Sequence, residues 1–274
     1  MDQLFLSLQR LLPQHGLSRL IGMLAKSDHP VIRKALIKGF LQLYDVNLSD
    51  AALEDVEDYR SFNDFFTRSL KSDARTICGD EGAIVSPVDG CISQLGAIEG
   101  GSLFQAKGHK YRLSSLAGDT GRGLDGGKFC TIYLAPADYH RVHLPCNGEL
   151  VETRAFPGAL FSVNGTTEAG IEGLFCRNER LVCRFETEFG PMLVIFVGAL
   201  IVASIETVWP GPSSPYQRQS VQALNEMLRQ GDEIGRFLLG STVICCFPPE
   251  SVDFDNALAP GTNVRMGALL GRRA

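Results

Sequence analysis

The chain of 274 residues is 45% hydrophobic and 21% charged, an ordinary globular composition with length for one large core or two small ones. Its formal charge of −5 is unevenly placed: residues 1–40 hold six Lys/Arg against Asp2 and Asp28, so the acidity lies in the remainder, and the first end suits an anionic partner without being basic enough for nucleic acid. The eight cysteines form no C-x-x-C pair, which argues against a zinc ribbon or a thioredoxin-type centre; with no visible signal peptide, free thiols in a cytoplasmic setting are the simpler reading.

Residues 1–75 carry helical periodicity. Leu4, Phe5, Leu8, Leu11 and Leu12 share one face of a helix that Pro13 should stop. Leu17, Leu20, Ile21 and Leu24 form a second apolar face, and Ile32, Leu36, Ile37 and Phe40 a third after Pro30. These short, Arg- and Lys-studded segments fit a helical cap on the body, a helix lying in a membrane interface, or both. The acidic, then aromatic, stretch 51–71 predicts a helix ending near Lys71.

From about residue 83 the texture changes to short strands and Gly-rich turns. The most apolar run, "MLVIFVGALIVASI" (192–205), is too short to span roughly 30 Å of hydrocarbon and is broken by Gly198, so it predicts two core strands. Residues 210–232 predict a loop running into a short helical or irregular segment, and the C-terminus has turn–strand–turn texture. The fold class predicted is α+β: an N-terminal helical region over 1–75, then a β-rich body of packed antiparallel strands over 76–274.

Three stretches hold reactive groups. In "SPVDG" (86–90), Asp89 precedes Gly90 at an expected turn, where a plain Asx-turn is the alternative. In "APADYHRVHLP" (135–145), His140 and His143 lie three apart beside Arg141; a metal pair lacks a clear third ligand, and strand spacing would put the two on opposite faces. The third is Gly240-Ser241, inside "GRFLLGSTVICCF" (235–247), a buried-strand pattern interrupted by Gly, Ser and Thr. A Ser, a His and an Asp suggest nucleophilic catalysis, but there is no G-x-S-x-G elbow. A hydroxyl at 241 has one nearby electrophile, the unshielded carbonyl of Gly240. Attack there turns amide into ester; elimination gives dehydroalanine; tautomerisation and hydrolysis release ammonia and leave a pyruvoyl group.

"LGST" (239–242) resembles the self-cleavage motif of the phosphatidylserine decarboxylases in their bacterial and mitochondrial proenzyme form. "FNDFFTR" (62–68), "SPVDG", "DYHRVHLPCNG" (138–148), "PGALFSVN" (157–164), "RNER" (177–180) and "VGALIVASIETVW" (197–209) resemble the same family in the same order. Thr76, where Pro would be expected, the 210–232 segment and the last 25 residues depart from it. The resemblance implies cleavage between Gly240 and Ser241 into chains 1–240 and 241–274, which stay associated. It implies Ser241 as the source of the pyruvoyl cofactor, with His143 as base and Asp89 orienting it, and His140 handling protons in decarboxylation. Phe156, Leu160 and Phe161 would lie near the lipid. The implied reaction joins the pyruvoyl ketone and phosphatidylserine as a Schiff base, releases CO2 and yields phosphatidylethanolamine. The implied setting is peripheral, on an anionic membrane surface at the cytoplasmic face of the bacterial inner membrane; a homodimer is left open. The competing readings are a non-catalytic lipid-binding β-domain and a pyruvoyl decarboxylase of a soluble amino acid.

Overall fold

The computed structural model describes residues 6, 9, 12–200, 205–212, 214–238 and 241–274. From residue 12 onward the described chain forms α1 (Gln14–Lys26) and α2 (Pro30–Leu43), followed by the five-residue α3 (Phe62–Phe66). Pro30 starts α2 at a position where its missing N–H costs nothing. Ser61 caps α3 by accepting the Asp64 amide at 3.1 Å. The long helix expected over 51–71 therefore shrinks to α3. Its acidic half turns instead, with Asp55 Oδ1 accepting the Glu57 amide at 2.9 Å, a local bond that competes with helix formation. The first predicted apolar face rests mostly on Leu4, Phe5, Leu8 and Leu11, which lie outside the described residues. Of the second, Leu20 and Leu24 are exposed, because α1 buries Ser18, Gly22 and Ala25. The third behaves as predicted: Ile37 is buried, and Leu36 and Phe40 pack beside Tyr59, Phe62, Phe65 and Phe66 in a small aromatic core.

Among the described residues the body has sixteen strands: β1 (Ala83–Val85), β2 (Gly90–Ala97), β3 (Ser102–Phe104), β4 (Lys110–Arg112), β5 (Lys128–Leu134), β6 (Arg141–His143), β7 (Gly148–Phe156), β8 (Arg180–Thr187), β9 (Gly190–Val197), β10 (Ile205–Thr207), β11 (Ser220–Leu228), β12 (Glu233–Phe237), β13 (Ser241–Phe247), β14 (Val252–Phe254), β15 (Asn263–Val264) and β16 (Leu269–Arg273). Eight form one antiparallel sheet in the order β11-β7-β8-β9-β13-β5-β2-β15. Small sheets β1-β16-β14 and β10-β12-β6 accompany it, and their apolar residues join one of its two cores. The α+β expectation holds, and the central strands of the sheet are buried on both faces. Along β13, Val243, Cys245 and Phe247 enter one core while Ile244 and Cys246 enter the other. A strand covered on both sides reads as a continuous apolar run, which is what 243–247 and 192–197 show.

Residues 210–232 correct the sequence reading. Their helix-favouring Gln, Ala, Leu, Glu and Met lie in β11, an edge strand paired with β7. Leu224 and Leu228 pack on the first core while Val221 and Met227 face solvent, so pairing and burial override local propensity.

Candidate active site

Ser241 opens β13, the strand between β9 and β5, and stands opposite Leu134 at the end of β5. Gly240 lies outside the described residues. The chain leaves the large sheet after Leu134 and reaches the β6–β12 pair; it returns from Phe237 to Ser241. The two connections are tied at both ends, since the Phe237 amide donates to the His140 carbonyl at 3.0 Å. The topology thus ties Leu134 and His140, on the His-bearing connection, to Ser241 and Phe237 respectively. Ser241 Oγ is shut off from solvent and has no hydrogen-bond partner among the described residues. A buried hydroxyl without a partner costs free energy and marks a place where function competes with stability.

His140 is fully buried against the Phe66 ring, centroids 4.1 Å apart. Its Nδ1 lies 2.8 Å from the Asp138 carbonyl, which can only accept, so Nδ1 carries the proton and Nε2 the lone pair. That Nε2 is a second buried atom with no partner among the described residues. Burial drives the His140 pKa down to about 3, so the ring is neutral near pH 7. His143 follows the same logic: Nδ1 donates to the Gly231 carbonyl at 2.8 Å, and Tyr139 donates its hydroxyl to Nε2 at 2.9 Å. Burial lowers its pKa as well. His140 precedes β6 and His143 ends it.

Asp89 sits in the turn between β1 and β2, fixed by Gly90, where a Cβ would stand 2.4 Å from the Tyr133 carbonyl oxygen. Its carboxylate faces Arg75, which donates from Nε at 3.0 Å and from Nη2, and its Oδ1 also accepts the Met266 amide at 2.8 Å. Arg75 Nη1 reaches Asp50 at 2.8 Å. The described hydrogen bonds therefore do not join Asp89 to His143 or His143 to Ser241; the Gly231 carbonyl orients His143. Asp89 and Arg75 instead line a polar cavity of about 480 Å³ together with Arg68, Tyr133, Asp138 and Tyr139.

A second, apolar groove of about 840 Å³ runs between α1, α2 and the body, lined by Leu24, Leu36, Phe40, Phe66 and Val163 among others. Tyr133 borders both spaces. The groove receives Ser162, Val163 and Asn164 of the "PGALFSVN" segment. Of the residues expected near lipid, Phe156 lies beneath the Arg180 guanidinium, 4.2 Å from its Cζ, and Leu160 is buried. Phe161 packs on the second core of the body. Sequence reasoning assigned no role to Tyr139, Arg75 or Asp50. Tyr139 sits inside the quoted "DYHRVHLPCNG", but only the fold shows that its hydroxyl folds back on His143.

The residues present fit a pyruvoyl group: a shielded serine hydroxyl follows, in sequence, the one residue type without a Cβ, and the chain segment tied to its strand carries two buried imidazoles. A family model described as "Phosphatidylserine decarboxylase" matches residues 62–272, and one described as "PSD" matches 4–45. A protein of Alcanivorax borkumensis named phosphatidylserine decarboxylase proenzyme is 50% identical, over 98% of this chain and 96% of its own. Proteins of the same name from Hahella chejuensis (49%, 99% and 94%) and Pseudomonas aeruginosa (48%, 98% and 96%) are similar to it over nearly the same lengths. The chain belongs to the phosphatidylserine decarboxylase family.

Proposed function

We propose that the chain is made as a proenzyme, cuts itself between Gly240 and Ser241, and decarboxylates phosphatidylserine to phosphatidylethanolamine. The observation that carries this reading is that Ser241 Oγ and His140 Nε2 are both buried with no partner among the described residues, on two connections tied together at the head of β13.

In the self-cleavage step, Ser241 Oγ gives its proton to Nε2 of His143 and bonds to the Gly240 carbonyl carbon. The peptide C–N bond breaks, and the proton passes to the freed Ser241 amine, leaving an ester. Loss of the Ser241 α-proton expels Gly240 as a carboxylate and leaves dehydroalanine; its imine tautomer takes up water and releases ammonia. His143 acts from a fixed tautomer, the role that a third group has in nucleophilic triads. Asp89 contributes to this reading as a charge in the adjoining cavity, with Gly231 supplying the orienting acceptor. The pyruvoyl group, once formed from Ser241, supplies a ketone for the substrate amine and an electron sink for the charge left by CO2. His140, held at Nδ1, presents Nε2 as its proton-transfer atom.

The substrate implies a lipid surface. No helix among the described residues is long and apolar enough to cross a membrane. The reading is peripheral binding to the cytoplasmic face of a bacterial inner membrane by the helical region 1–75, led by its basic residues 1–40, while residues 76–274 form the catalytic body. After cleavage β13 stays between β9 and β5, so the two chains remain one body.

Intact mass of purified protein is the test. Two chains, 1–240 and 241–274 with a blocked start on the shorter, support the reading. CO2 from phosphatidylserine but not from free serine separates it from decarboxylation of a soluble amino acid. A single uncut chain that still turns over would overturn it.

A further inference from the structure

We infer that Arg68 receives the phosphodiester of the substrate, a deepening that rests on the decarboxylase reading above. Arg68 closes the "FNDFFTR" stretch just after α3, and it is 5% exposed. Its Nη2 donates to the carbonyls of Ala137 at 2.8 Å and Asp138 at 3.4 Å. Its Nε and Nη1 are buried without a partner among the described residues, and it takes part in no described ion pair. The Phe65 ring, 5.9 Å from its Cζ, is the aromatic face nearby. Buried guanidinium donors left open are costly, and an anion is what completes them.

The location selects the ligand. Arg68 lines the polar cavity, where Arg75 is already committed to Asp50 and Asp89 and Arg265 is largely exposed. The Asp138 carbonyl accepts from both Arg68 and His140, so the guanidinium stands beside the imidazole. Phe66, two residues earlier, packs on His140 and lines the apolar groove, while Tyr133 borders groove and cavity alike. A molecule with acyl chains in the groove and its headgroup toward His140 brings its anionic linkage to Arg68. Asp45, Asp50 and Asp138 border the same cavity and favour the amine end of a zwitterionic headgroup over a second anion.

Two anionic groups of the substrate could meet Arg68, and the chemistry decides between them. The carboxylate must leave as neutral CO2, so a guanidinium pinned on it would stabilise the ground state more than the transition state. The phosphodiester keeps its charge throughout, so binding it anchors the substrate without opposing the reaction. Loss of this contact should therefore appear in KM, with kcat much less affected.

The test is Arg68→Met in the full chain, with Arg68→Lys beside it, assayed on phosphatidylserine in mixed micelles of a non-ionic detergent. Arg68→Met is expected to mature into two chains and to raise KM about tenfold to hundredfold, with Arg68→Lys in between. Glycerophosphoethanolamine, a soluble phosphodiester with no carboxylate, should inhibit the wild type and lose potency in the variants by a similar factor. A matured Arg68→Met with unchanged KM, or a loss confined to kcat, overturns the assignment. Should Arg68→Met fail to mature, the wild type still decides: inhibition by free serine but not by glycerophosphoethanolamine overturns it. Absence of CO2 from the wild type would instead defeat the decarboxylase reading.

Discussion

Tyr139 donates its hydroxyl proton to Nε2 of His143, so the nitrogen proposed to take the Ser241 proton is occupied in the uncut chain. The tautomer leaves no alternative, because Nδ1 already donates to the Gly231 carbonyl. Burial raises the Tyr139 pKa, which keeps the hydroxyl a donor rather than an acceptor of the proton in transit. Tyr139→Phe should free Nε2 and let the chain mature at least as fast as the wild type, whereas His143→Ala should block maturation. A time course of chain separation on a gel reads both. Arrest in Tyr139→Phe would make the hydroxyl a required part of the cleavage step.

Ser241→Ala removes the hydroxyl proposed to attack Gly240 and should leave a single inactive chain of full mass. Ser241→Cys should cleave slowly, since a thiol can make the acyl shift with different geometry and acidity. Appearance of two chains in Ser241→Ala would show that the bond breaks by another route.

His140 links the site to stability. Its folded pKa of about 3 lies below the ordinary 6.5, so the unfolded chain binds more protons between those values. The contribution is fully present above pH 6.5 and is lost as pH falls toward 3. Between pH 6.5 and 5 that amounts to about 2 kcal/mol. Raised carboxyls such as Asp138, Glu168 and Glu179, all desolvated by burial, act in the opposite sense, so a comparison is needed. Urea midpoints at pH 7.5 and 5 should converge less for Ser241→Ala than for Ser241→Ala with His140→Phe, the shared alanine keeping one chain. Equal pH slopes in the two proteins would remove His140 as the source.

The residues proposed as reactive stand out in the sequence because they sit in short contiguous stretches, "LGST" and "DYHRVHLPCNG". The buried strands were legible because a sheet covered on both faces produces unbroken apolar runs. Contacts made across the chain were not. Nothing local says that Arg75 will close on Asp89 and Asp50, or that Gly231, far from the histidines in sequence, will orient His143. Strand β11 was hidden for a related reason: its residues favour a helix in isolation, and only β7 makes it a strand. The inward face of α1 is rotated from its apolar periodicity: Leu17 and Ile21 are half-buried, but close packing selects Ser18, Gly22 and Ala25 over Leu20 and Leu24.

Arg75 is a buried cation between two acids, and Asp89 also holds the Met266 amide of the 241–274 segment. Arg75→Gln strands both carboxylates without their cation. Breaking a partly buried pair of this kind should lower Tm by about 5 °C or more. The matured variant should also lose its short chain more readily on dilution into mild denaturant, since Asp89 bridges the two chains. Thermal melts and size exclusion measure the two effects. Wild-type values in both would reduce the network to a surface ion pair.

The last prediction concerns the face that α1 leaves outward. Leu20 and Met23 are 53% and 65% exposed, on a helix that also shows Arg19 and Lys26 to solvent, and exposed Lys34 and Lys38 follow on α2. A solvent-facing apolar pair beside cations is the pattern of an interfacial helix rather than of a cap. Each Lys or Arg near an anionic bilayer contributes on the order of 1 kcal/mol, screened over roughly 10 Å at 0.1 M salt. Inserted Leu and Met side chains add roughly 1.5–3 kcal/mol each, and salt does not screen that part. Binding to anionic vesicles should therefore weaken at high salt without vanishing. Leu20→Ser with Met23→Ser keeps the charge and removes the apolar part, so it should abolish the salt-resistant fraction while leaving self-cleavage intact. Vesicle co-sedimentation at low and high salt, with a gel for maturation, reads both arms. A double variant that still sediments at high salt would show that this face of α1 is not what enters the lipid.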